Sequence, residues 1–105
     1  MTKYHVTQQW DGKDLESASQ RMGEEEAIEM FMKKWMCDDS SFAADQVTKI
    51  YVYATLSEAQ AHQDSYDGEI LEIDDTYLEL REDWSEGILN LYSNTPISAD
   101  DVKRI

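Results

Sequence analysis

The sequence predicts a single α+β domain over residues 1–105, with a mixed or antiparallel sheet of about four to six strands packed with two or three helices. Three observations carry that prediction. The run VTKIYVYA from Val47 is dense in β-branched and aromatic residues, which suit a pleated surface. The segment EEEAIEMFMKKWM, Glu24 to Met36, sets Ile28, Phe31, Met32, Trp35 and Met36 at helical spacing. Short alternating segments lie near both ends of the chain, as half-buried strands require.

In order, KYHVT (Lys3 to Thr7) reads as a first strand, broken by Trp10-Asp11-Gly12. Asp14 or Ser17 can open a short helix carrying Leu15, Ala18 and Met22, with Gly23 at its end. The helix near 24–36 has Glu24, Glu25 and Glu26 at its start and Lys33 and Lys34 near its end, which favours its dipole. Its Met-rich stripe suits either docking on the sheet, the plainer reading, or an adaptable binding face. CDDSSF is a polar connection, and Ala43 to Gln46 lead into the central strand. Thr55 and Ser57, each three residues before Glu58 or Gln60, offer capping boxes for a helix near 57–65, with Ala59, Ala61 and His62 suited to close packing on a sheet. Asp67-Gly68 turns the chain into EILEID, where Leu71 and Ile73 share one face and Glu72 and Asp74 the other. TYLEL reads as the next strand, REDWSEG as a charged loop and GILNLYS as a further strand that Asn94-Thr95-Pro96 stops. Ser98, with Asp100 and Asp101, can cap a last turn before VKRI.

Composition bounds the function. A chain of 105 residues can bury roughly 65% of its unfolded surface without staples. No apolar run approaches the roughly 20 residues that cross a bilayer, and MTKYHVTQQW does not read as a signal peptide. Cys37 is the sole cysteine, so a cytoplasmic, reducing location is expected. A formal charge of −14 argues against direct nucleic-acid or anionic-membrane binding and eases attraction of a basic protein partner.

Candidate chemistry is sparse. DSYDGE lacks the oxygen ligands of a calcium loop, and His5 and His62 have no Cys or His at ligand spacing, so no metal is expected. Cys37 follows a helix C-terminus, where the dipole disfavours the thiolate. Four scattered glycines make no phosphate loop. The carboxylates from Asp64 to Glu86 read as a solvated face, or as an imitation of DNA with Glu72 and Asp74 on one strand beside Glu79 on another. Like charges on adjacent strands cost stability, which invites a functional reason. His5, between Tyr4 and Val6 in the first strand, is either a half-buried neighbour or a site residue.

YHVT at the start, the step IYVYATLSEAQA, GEILEID and the closing SNTPISADDVKRI together resemble a compact ADP-ribosyltransferase-like domain across nearly the whole chain. In that family a first strand carries a histidine in a motif like Y-H-x-T, a later strand runs into a helix with an S-x-x-A-like start, and the chain closes on an Ile-Pro-like step and a short I-x-x-I element. The resemblance implies NAD or an NAD-derived ligand and transfer of ADP-ribose. His5 would hydrogen-bond the ribose, and Tyr53, or Tyr51 on the same strand face, would stack against nicotinamide. Glu86 would be the carboxylate that stabilises the oxocarbenium-like transition state. The sequence departs from the family in having S-N-T-P-I for a simple Ile-Pro, in lacking a Ser-Thr-Ser element, and in its short loops. A domain that keeps the fold without the reaction is therefore open. The alternative function is a non-catalytic acidic module that binds a basic partner, as a nucleic-acid mimic or inhibitor.

Overall fold

The N-terminal strand is tied down along its whole length. In the computed structural model, which describes residues 2–66, 68–85 and 87–105 (64–66, 85 and 88 by backbone alone), β1 (Thr2–Thr7) pairs antiparallel with β3 (Glu69–Asp74). Its register runs from Thr2 opposite Asp74 to Thr7 opposite Glu69. On the other edge of β3 lies β6 (Val102–Arg104), also antiparallel. A second sheet has the order β2-β5-β4, from Ile50–Val52, Ile88–Ser93 and Arg81–Ser85. The two sheets meet where Tyr4 and Tyr53 exchange backbone hydrogen bonds of 2.9 and 2.6 Å. Every pairing is antiparallel, within the expected fold class.

The alternation in EILEID does what its period dictates: Leu71 and Ile73 are fully buried, while Glu72 and Asp74 turn away. They join Leu15, Ile50, Val52, Ile97 and Val102 in one core, with Trp10, Leu78, Leu80 and Leu91 packed against it. Leu15 is held there by a two-way backbone bridge to Ile97, at 2.8 and 2.9 Å.

Four α-helices are present among the described residues, where two or three were expected. α1 (Ala18–Met22) starts on a capping box in which Ser17 and Gln20 satisfy each other's backbone N–H groups. Gly23, at φ +91°, turns the chain directly into α2 (Glu24–Lys34). α4 (Leu56–Tyr66) begins at Thr55, whose hydroxyl accepts from the Glu58 N–H at 3.2 Å, and it buries Ala59 against β1 and β3 while Ala61 stays exposed. Asp67 of the expected Asp67-Gly68 turn lies outside the described residues. The predicted stops hold at the other end: β5 ends at Ser93, and Ser98 caps a short 3-10 turn, Ala99–Asp101.

Other expectations are corrected. The polar connection and the lead-in to the central strand contain α3 (Ser40–Gln46), started by Asp39, whose carboxylate accepts from Ser41 and Phe42 N–H at 3.0 and 3.1 Å. β2 consequently begins only at Ile50. TYLEL is not a strand: the Asp74 carboxylate accepts from the Thr76 N–H at 3.0 Å and turns the chain, and Leu78 and Leu80 reach the core from a loop. The strand is instead Arg81–Ser85, in the stretch read as a charged loop; its charges suit an edge position. Glu79 therefore stands on no strand beside β3, and Glu72 faces Lys103 across β6, so the expected row of like charges is absent there. α2 packs on α1 and α3 rather than on the sheet, which leaves Trp35 and Met36 54% and 93% exposed. Among the described residues no helix is long and apolar enough to cross a membrane.

Candidate functional site

His5 lies mid-strand on β1, opposite Leu71, so its ring starts from the face that carries the core. An imidazole there needs a polar partner, and it has one in β2: Nδ1 donates to the Tyr51 carbonyl at 2.6 Å. The carbonyl can only accept, so the proton sits on Nδ1 and the neutral ring keeps a lone pair on Nε2. Burial lowers the His5 pKa. The Tyr51 bond opposes that shift, while nearby His62 and Arg21 add to it. At neutral pH the ring is uncharged.

Tyr51 and Tyr53 share one face of the β2 chain, as the period of two requires. The Tyr51 hydroxyl donates to Gln46 of α3 at 2.8 Å, and its ring meets Tyr92 edge-on at 6.2 Å. Tyr53 stacks with His62 of α4, the ring centres 5.4 Å apart. Burial, with Tyr51 and Glu58 nearby, pushes the Tyr53 phenol up to about 12, so it stays protonated. Burial also lowers the His62 pKa.

These residues form the floor of a groove of about 550 Å3, whose opposite wall is Phe31 of α2, Trp35 just past its end, and Phe42 of α3. Phe31 holds that wall together, its ring 6.4 Å from Trp35 and 6.1 Å from Phe42. Phe31 and Trp35 of the predicted apolar stripe thus line an open groove where sheet contact was expected. Lys49 closes one end. Its side chain is only 7% exposed, bonded to Asp45 and Asp83 at 2.8 and 3.1 Å and set 4.6 Å over the Tyr92 ring. Burial opposes its charge, but the two carboxylates outweigh that and raise its pKa.

Of the residues predicted from sequence, His5, Tyr51 and Tyr53 come together in this groove. Glu86 lies outside the described residues. The aromatic wall and His62 were missed as site residues. Phe31 and Trp35 carry the same helical spacing as core residues, and no signal in the sequence separates a stripe that packs from one that lines a groove. The arrangement can hold a flat ring between aromatic faces and accept a hydrogen bond at His5 Nε2. Neither family models, nor characterised proteins, nor solved structures match this chain.

Proposed function

We propose that the chain binds NAD or an NAD-derived ligand in the groove between β1, β2 and the α2–α3 wall. The observation that carries this reading is the fixed His5 tautomer beside Tyr53: an acceptor nitrogen and an aromatic face on one concave surface. In this reading a ribose hydroxyl donates to His5 Nε2, and the nicotinamide ring lies against Tyr53 with the Phe31–Trp35 wall across from it. The groove volume falls in the roughly 300–1,000 Å3 range of small-molecule sites. Transfer of ADP-ribose is the activity the family resemblance suggests, with Glu86 as the carboxylate facing the developing positive charge.

Thermal melting with NAD, ADP-ribose and nicotinamide tests the binding. A ligand at about a hundred times its Kd adds about 2.7 kcal/mol, which for a domain of this size raises Tm by roughly 10 °C or more. His5→Ala and Tyr53→Ala, each compared with its own unliganded melt, should abolish the rise. An unchanged melt of the native chain at millimolar concentrations of all three ligands defeats the reading. If binding is found, release of nicotinamide from NAD, and its loss in Glu86→Gln, decides between an enzyme and a binding module.

A further inference from the structure

The groove does not end at its aromatic floor. Toward α1 it is adjoined by a recess of about 320 Å3 that shares Phe31, Trp35, Gln46 and Lys49 with it and is also lined by Arg21 and Lys34. Among the described residues, no Asp or Glu lines either the groove or the recess. That is unexpected on a chain with 23 acidic residues against 9 Lys and Arg. Other recesses beside the groove do carry acids, Asp45 and Asp83 in one and Asp11, Asp14 and Glu16 in a smaller one, and Arg21 lines the last of these as well as the acid-free recess.

The cations there are not equivalent. Lys49 is already engaged by Asp45 and Asp83. Arg21 makes no side-chain hydrogen bond or ion pair among the described residues, yet it is close enough to act on the charge of His5. Its guanidinium offers a planar fork of donors that matches phosphate oxygens in pairs.

We propose that Arg21 is the anion-binding residue of this groove and that the ligand is a flat ring bearing a phosphate, with the ring between His5 and Tyr53 and the phosphate at the Arg21 guanidinium. This rests on reading the groove as a nicotinamide-type site, and adds that the phosphate is required for tight binding. An overall charge of −14 repels phosphates from the rest of the surface, so the recess selects as well as attracts.

Calorimetric titration at low ionic strength with nicotinamide mononucleotide and nicotinamide riboside, which differ by one phosphate, tests it. The mononucleotide should bind about tenfold more tightly, the ratio that about 1.4 kcal/mol gives. Arg21 is exposed, so Arg21→Gln leaves the packing intact; it should erase that ratio while the riboside keeps its Kd. Lys103→Gln, an equal charge change on β6, should leave the ratio unchanged. Equal binding of both ligands by the native chain, or an unaltered ratio in Arg21→Gln, overturns the anion site and leaves the ring site standing. Failure of both ligands overturns the two together. Inorganic phosphate binding as tightly as the mononucleotide, with the riboside inert, overturns the combined ligand.

Discussion

Acidification from about pH 7 to about pH 5 should destabilise this fold through His5. Burial, reinforced by His62 and Arg21 and only partly opposed by the bond to the Tyr51 carbonyl, holds the folded-state pKa below the ordinary 6.5. The folded chain therefore binds fewer protons than the unfolded chain in a window that opens near 6.5 and closes at the lower, folded pKa. Stability is present above that window and is lost as pH falls through it. Each pH unit inside it costs about 1.4 kcal/mol, and the loss stops at the folded pKa, so the total grows with the distance of that pKa below 6.5. Against a stability of about 5–15 kcal/mol, such a loss is readily measured. The assay is urea unfolding at several pH values for the native chain and for His5→Asn, whose amide keeps a donor for the Tyr51 carbonyl but does not titrate. The native chain should lose more stability than the variant over this range, by up to about 1.4 kcal/mol for each pH unit inside the window. Equal losses would refute the reasoning, because His5 would then ionise as readily folded as unfolded.

Leu71→Ala, at a position with no exposure in the core, should cost about 2–5 kcal/mol by denaturant unfolding. Gly23→Ala meets no atom within 4 Å, yet it forces a side chain onto φ +91°; a loss of about 1–2 kcal/mol is expected, and no loss would mean the α1–α2 junction relaxes. Lys49→Met should cost about 1–2 kcal/mol, less than a fully buried pair, because Asp45 and Asp83 keep 59% and 32% side-chain exposure and stay hydrated. Raising sodium chloride from about 0.01 to about 0.15 M should raise Tm, since screening relieves the self-repulsion of a −14 chain. A Tm that falls over that range would place the favourable ion pairs above the repulsion.

Much of the fold could be read directly because its signals are local. Leu71 and Ile73 alternate with Glu72 and Asp74, and that period dictates a two-faced strand wherever it docks. Ser17 with Gln20, and Thr55 before Glu58, mark helix starts within one turn of chain. Ser93-Asn94-Thr95 ends β5, the Ser93 hydroxyl accepting from the Thr95 N–H at 3.2 Å ahead of Pro96. The misplaced strand shows the limit. TYLEL has the better pattern and REDWS the worse, but the Asp74–Thr76 turn and pairing with β5 put the ladder on REDWS.

By itself, the sequence determined an antiparallel-compatible α+β domain, its main caps, its buried alternation and its negative charge, since each depends on neighbours a few residues apart. Only the tertiary structure decided that α2 leaves its aromatic stripe facing a groove, and that Arg21 stands between an acid-free recess and an acidic one. It also decided that His5 meets the carbonyl of a residue 46 positions away. Such meetings depend on which strand edges pair and which helices cover them, and that choice is made by the packing of the whole chain rather than by any window of it.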